Sequence, residues 1–481
     1  MTRYDVVIVG GGPSGLSLGH YCTKIGMKVL IIEKEKDIGG CHTVYRNDKN
    51  LFSEHSPRVY SSGYLNFIQI LDDIHLPFHD VFTQLNFQSF DLIKASIFKN
   101  FSLYEILDLT LNIFQHIVSP DHGKRITVHK YMQQSKFSQK SIEVIDTLCR
   151  MSDGCTSQTI SLNTFLTYIN QQIMYKLYEP RLPNDELLFR KWENYLNSHN
   201  CTILKSCKVE RFDFDNHKIV SCTLDEDHQN QIIYADNFVL AVPPVNIVSI
   251  VKNTGIVNAF GDIEKLQKMA DSTRYIDYIS ITYHWKQPLK FDSKYVFPNT
   301  EWGIFNEVMS DYMKFQEKES QTVISVSISK LNTKSSFLNK TANECCREEI
   351  IQETFRQLSK DKPNMTKDFI AIFEPSTYWD TSRKTWTMKG TGYVSNINTS
   401  TLSFTSSLFS NLYNVGTHNG QSFYKPTTFE SAVCNSLSLF QMMYPKHKNK
   451  VSMKKVSTLR GLLIWLTAIF IVLYILYVLM R

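Results

Sequence analysis

The 481-residue sequence predicts an α/β fold: a parallel-stranded domain built from three separated segments, an α+β region interleaved between them, and a C-terminal transmembrane helix. Three observations predict it. Residues 4–33 read as strand, glycine turn, helix and strand. Apolar, β-branched runs return near residues 202–240 and 412–416, ending in proline or glycine. Residues 461–480 contain no charged side chain.

The first element is the most specific. Residues 4–9 (YDVVIV) form a short, nearly continuous apolar run, as expected of a strand buried on both faces. Gly10, Gly12 and Gly15 follow with G-x-G-x-x-G spacing, Pro13 and Ser14 lie between them, and residues 16–25 are helical in pattern. A second apolar run, 27–32, closes on Glu33. In that setting the glycines permit a tight turn, close approach of backbone to a pyrophosphate, and close packing of helix on strand. The helix N-terminus presents free N–H groups to the phosphates. Glu33, followed by Lys34, is placed to accept from ribose hydroxyls and would repel a 2′-phosphate, which disfavours NADP.

A second glycine pair, Gly39-Gly40, stands just past the acid and is followed by Cys41-His42-Thr43. This extension resembles the signature of the flavin amine oxidase superfamily, which includes amine oxidases, protoporphyrinogen oxidases and phytoene desaturases. The resemblance implies a Rossmann-type FAD-binding domain with an interleaved α+β substrate domain, and FAD as cofactor. Where that family often has Arg after the glycine pair, this chain has Cys41. In the family the next stretch passes beside the flavin ring, which makes Glu54, His55 and Arg58 candidates for the active-site wall.

Composition narrows the class. The net charge is +6, but seven basic residues lie beyond residue 445, and the remainder balances at 45 basic against 46 acidic. A neutral body gives no support to nucleic-acid binding. Ten cysteines show no C-x-x-C spacing, and no clustered metal ligands occur, so reduced thiols and no metal are expected.

Further along, residues 61–195 read as mostly helical, with apolar residues at three- and four-residue intervals in 103–117. Residues 207–209, ending at Val209, resemble the family segment whose backbone contacts adenine. The run 235–244 (ADNFVLAVPP) reads as a buried strand stopped by a proline pair. Residues 278–284 and 322–328 alternate in polarity as half-buried antiparallel strands do. Residues 412–417, with Gly416, and 427–432, with Thr428 and Phe429, resemble the family's C-terminal flavin motif, in which a helix N-terminus faces the flavin. Thr417, Ser431 and Ser280 stand where the family commonly has an acid, a glycine and a lysine. No cysteine stands where a covalent flavin link would be expected, so the resemblance implies non-covalent FAD.

The resulting division assigns residues 1–60, 196–245 and 386–444 to the FAD-binding domain. Residues 61–195 form a helical substrate or cap region, 246–385 the substrate domain, and 445–460 a basic linker. At 1.5 Å per residue the uncharged run 461–480 is about 30 Å long, a bilayer's hydrocarbon thickness. Six basic residues precede it, so the body is expected on the cytosolic side. The expectation is a tail-anchored, single-pass membrane protein of the endoplasmic reticulum or mitochondrial outer membrane. Its partners would be a bilayer and a small molecule, an amine or an apolar compound such as an isoprenoid, porphyrinogen or lipid, oxidised by hydride transfer to flavin. Two other readings stay open: a flavoenzyme similar to UDP-galactopyranose mutases, and a non-catalytic FAD-binding membrane scaffold.

Overall fold

A computed structural model of the chain describes residues 3–85, 100–225, 227, 230–291, 300–390, 392–398, 400–423, 427–456 and 458–479. β1 (Arg3–Val9) leads through a glycine turn into α1 (Pro13–Thr23) and on to β2 (Val29–Ile32). Helices dominate the next stretch, among them α2 (Leu65–Asp73), α3 (Leu103–Val118), α4 (Leu162–Met174) and α5 (Leu188–Ser198). Four strands follow: β3 (Cys201–Leu204), β4 (Val209–Asp215), β5 (Lys218–Leu224) and β6 (Ile232–Leu240). The sequence suggested a strand within 235–244; the structure begins it earlier, at Ile232, and ends it at Leu240.

The next part contributes β7 (Ile279–Trp285), β8 (Ile304–Val308) and β9 (Thr322–Ile328), then α6 (Arg347–Ser359) and β10 (Ile370–Phe373). β11 (Leu412–Asn414), α7 (Phe429–Met443) and α8 (Thr458–Leu479) complete the described elements used below.

The main sheet runs β3-β2-β1-β6-β5-β4, and β11 also pairs with β6. β3, β2, β1, β6 and β11 are mutually parallel, whereas β5 is antiparallel to both β6 and β4. β1 is buried on both faces, because Val6 and Ile8 pack with α1 and α7 while Val7 and Val9 pack on the opposite side. That is why its sequence is continuous rather than alternating.

A second sheet, β8-β9-β7-β10, is antiparallel throughout. The expectation of half-buried strands fails here, since every residue of β7 and β9 is buried. On β7, Ile279, Ile281, Tyr283 and Trp285 enter the core shared with α6. The polar face is covered by the chain at 52–54: Ser280 Oγ donates to the Glu54 carbonyl, Thr282 bonds Ser53, and His284 Nε2 bonds the Phe52 carbonyl at 2.8 Å. Alternation therefore marks a change of neighbour, not exposure to water.

The C-terminal run corrects the sequence reading. Among the described residues no helix is long and apolar enough to cross a membrane. α8 instead packs against α3 and α4. Trp465 is buried in the core of the helical region, and its indole N–H donates to Asn170 Oδ1 at 2.7 Å. Gly461 lies so close to Met174 that a Cβ would come within 2.8 Å of its sulfur. Uncharged composition here serves packing on other helices along one side of α8. The transmembrane helix, the tail anchor, the bilayer partner and the membrane localisation are withdrawn with it. Met480 and Arg481, also part of that reading, lie outside the described residues.

Candidate functional site

The glycine turn is shaped by the backbone around it. Gly10 has φ +115°, a left-handed value, and a Cβ there would sit 2.5 Å from the Ala241 carbonyl oxygen. A Cβ on Gly15 would lie 2.0 Å from the Gly10 carbonyl oxygen. Gly12 is different: it caps α1 with φ −79°, and its nearest protein neighbour, Gly40 Cα, would be 3.6 Å from a Cβ. No side chain caps α1, so the N–H groups of its first turn are open to a ligand.

Glu33, at the end of β2, is buried and accepts from Gly11 N–H at 2.7 Å and Glu35 N–H at 2.9 Å. Burial raises its pKa, and the two backbone donors oppose that rise. The Cys207 N–H donates to the Glu33 carbonyl, which brings Val209 alongside. Lys34 is exposed and paired with Glu35.

Gly39 and Gly40 both have left-handed φ, at +122° and +57°. Gly39 packs on the Phe189 ring, and its N–H donates to the Gly11 carbonyl. That bond ties the second glycine pair to the first turn.

The C-terminal elements close the far side. Gly416 is extended, with φ 175°, and needs its lack of a side chain because His418 would lie 2.5 Å from a Cβ. His418 is buried, bonds Asn414 at 2.9 Å, and is held neutral by burial, with its pKa pushed down to about 3. At the start of α7, Thr428 and Ser431 form a reciprocal cap. This accounts for Ser431: its hydroxyl accepts from Thr428 N–H, leaving the first-turn donors of Phe429 and Glu430.

A cavity of about 1180 Å³ connects these elements. Gly10, Gly12, Pro13, Ser14, Glu33, Lys34, Gly40, Cys41, His55, Arg58, Val209, Gly416, Thr428 and Phe429 all line it. Gly15 and Gly39 stand behind its wall as packing residues.

Beyond the glycines, the cavity passes between two chemically distinct walls. One is largely apolar and aromatic, with Tyr64, Phe165, Tyr168 and Ile169. The other carries Glu179, Glu307, Asp311, Tyr312, Glu374 and Tyr278, none of which the sequence singled out as site residues. Tyr278 and Glu374 sit at strand ends, a signal that was available. Glu179 and Glu307 carried none, since only the fold brings them together.

Arg58 joins the two parts. Its Nη2 donates to the Cys41 carbonyl and lies 3.0 Å from the His55 ring nitrogens, while Nε is 3.9 Å from Glu54. Burial lifts Glu54 to about 8 in spite of Arg58, with Glu307 and Glu374 adding to the rise. Burial also raises Glu179 and Glu307, and it holds His42 and His55 neutral, helped by the Arg58 charge. At neutral pH the inner cavity thus contains a permanent guanidinium, neutral imidazoles and carboxyl groups whose protons burial helps to retain.

Residues 8–74 match the model of the NAD(P)-binding Rossmann-like domain. The first part of the chain is thus similar to dinucleotide-binding units. A thiamine thiazole synthase from Methanococcus aeolicus is 61% identical over 36 residues, 8% of this chain and 14% of that protein. The chain thus matches only about one-seventh of the length of that curated relative.

Over almost its full length the chain has the fold of solved oxidases. A redesigned putrescine oxidase superposes with TM-score 0.61 at 11% identity, covering 92% of this chain and 99% of the other. A putative protoporphyrinogen oxidase from Exiguobacterium sp. 255-15 gives TM-score 0.60 at 13% identity, covering 93% and 100%. The likeness to the flavin amine oxidase superfamily read from the motifs therefore holds at the level of the fold.

Proposed function

We propose that the chain is an oxidoreductase that binds FAD non-covalently and oxidises a small molecule at the inner end of the cavity. The observation that carries this reading is the continuity of one cavity from the glycine cradle, past Gly40, Cys41 and the α7 N-terminus, to the wall of His55, Tyr278 and Glu374. The cradle fits a dinucleotide: Gly12 is held open toward the cavity, α1 is uncapped, and Glu33 is fixed by backbone bonds at the end of β2. FAD, when bound, supplies a two-electron acceptor.

The chain's own residues do the rest. The first-turn N–H groups of α1 hold the diphosphate, and Glu33 receives a ribose hydroxyl. The inner walls present neutral His55 for hydrogen bonding to substrate, with Glu54 buried behind it. An aromatic wall facing buried carboxyl groups suits an amine or an apolar molecule.

The test is anaerobic addition of candidate reductants to the purified yellow protein. A monoamine, a diamine, a porphyrinogen and a polyunsaturated isoprenoid each sample one substrate class. Loss of the absorbance near 450 nm with one of them supports the reading. A protein that carries FAD but is bleached by none of them would favour a non-catalytic role.

A further inference from the structure

The inner cavity is rich in carboxyl groups, and one guanidinium stands where its two parts meet. Arg58 is anchored at one end only, through Nη2 on the Cys41 carbonyl. Cys41 follows Gly40, whose own Cβ would lie 3.0 Å from Gly12 Cα, so the anchor is one residue from a close approach of the two glycine turns. Nε of Arg58 is buried without a hydrogen-bond partner among the described residues. Glu54, at 3.9 Å, is outside hydrogen-bond reach of it, and one of Glu54's own oxygens, Oε1, is likewise without a partner. A buried cation left with an open donor costs free energy unless a ligand supplies the missing acceptor.

The other cations around the cavity are engaged elsewhere. Lys34 pairs with Glu35, Lys208 with Glu210, Arg150 with Asp146 and Lys362 with Asp361, while Lys389 lies over the Tyr378 ring. Lys36 is exposed, beyond Glu33. Arg58 alone among these combines burial, an open donor and a position between the cradle and the substrate wall.

Resting on the FAD reading above, we infer that Arg58 is the cation that offsets the negative charge FAD acquires on reduction, and so sets the potential of the bound cofactor. The neighbouring histidines are neutral and Glu54 is mostly protonated at pH 7, so neither the histidines nor Glu54 cancels the guanidinium charge. In a water-poor site such a charge acts strongly.

The experiment uses the full-length protein loaded with FAD. It reads the ratio of oxidised to reduced cofactor in equilibrium with a reference dye, and the affinity for sulfite, an anion whose addition bleaches flavins and is favoured by a nearby cation. Arg58→Gln keeps a donor for the Cys41 carbonyl but removes the charge. It is expected to shift the dye-poised ratio about tenfold toward the oxidised form, ~30 mV for a two-electron couple. Sulfite affinity should fall about tenfold as well, and Arg58→Lys should recover most of both. An Arg58→Gln protein with unchanged ratio and unchanged sulfite affinity overturns the inference. So does a wild-type holoprotein that does not bleach in millimolar sulfite, a result that needs no variant to fold. A wild-type protein that carries no FAD fails earlier and overturns the function reading instead.

Discussion

Gly12 and Gly15 are six-residue-motif neighbours, yet different things forbid a side chain at each. At Gly15 the obstacle is the protein, a carbonyl oxygen 2.0 Å from where Cβ would stand. At Gly12 the protein leaves ordinary contact distance, so on the proposed reading the obstacle is the bound FAD. Gly15→Ala is therefore expected to destabilise the cofactor-free protein by about 1–3 kcal/mol or more. Gly12→Ala should melt within about 1 kcal/mol of wild type yet retain little FAD. Thermal melts and flavin-to-protein ratios separate the two, and a fully flavin-loaded Gly12→Ala would contradict the assignment.

Glu54 gives a pH prediction. Its folded pKa, about 8, lies above the ordinary 4.5. The native state therefore keeps a proton that the unfolded chain releases, and stability falls as pH rises between those values. The contribution is fully present below pH 4.5 and is lost by about pH 8, at about 1.4 kcal/mol per pH unit within the window. Urea melts at pH 5, 6.5 and 8 should show the decline, and Glu54→Gln should make it shallower, with Glu179, Glu307 and Glu430 supplying what remains.

At the level of elements, the sequence was legible where one segment determines its own environment. β1, α1 and β2 follow one another as one strand–turn–helix–strand unit with its signals in the local sequence, so strand, turn and helix could all be read from residues 4–33. β7 could not, because its polar face is covered by residues 52–54, more than two hundred positions earlier. α8 was misread for a related reason. Local composition announces an apolar helix but does not say whether lipid or protein lies against it, and Trp465 together with Asn170 answers that. Trp465→Ala is expected to cost about 3–5 kcal/mol, concentrated in the helical region. A cut after Tyr444 should expose the core around Ile113, Leu166 and Ile169 to added protease while leaving the main sheet protected. Uniform protection in the shortened protein would show that α8 is dispensable.

Across the whole molecule, Arg46 binds three otherwise separate parts of the chain. Its guanidinium reaches Asp185 at 3.1 Å, Glu186 at 2.5 Å and Glu317 at 3.2 Å, joining the loop after the glycine pair to the approach to α5 and the turn before β9. Removing it leaves three carboxylates facing one another, half-buried. Arg46→Met is expected to cost about 1–3 kcal/mol, and most of that cost should vanish in Arg46→Met combined with Glu186→Gln and Glu317→Gln. The same long-range convergence explains which site residues were missed. Gly-rich turns announce themselves locally, whereas Glu179, Glu307 and Glu374 become one wall only after two sheets and a helical region have come together.

The docking of α8 has a consequence in time. Asn170 waits for a partner 295 residues further along the chain. At roughly 5–20 residues per second on the ribosome, that is a delay of roughly 15–60 seconds. Throughout it, the grooves of α3 and α4 that receive Trp465 stay open and apolar while the rest of the body is being made. The nascent chain thus carries a standing demand for a chaperone, or for some transient cover, that the finished protein no longer betrays.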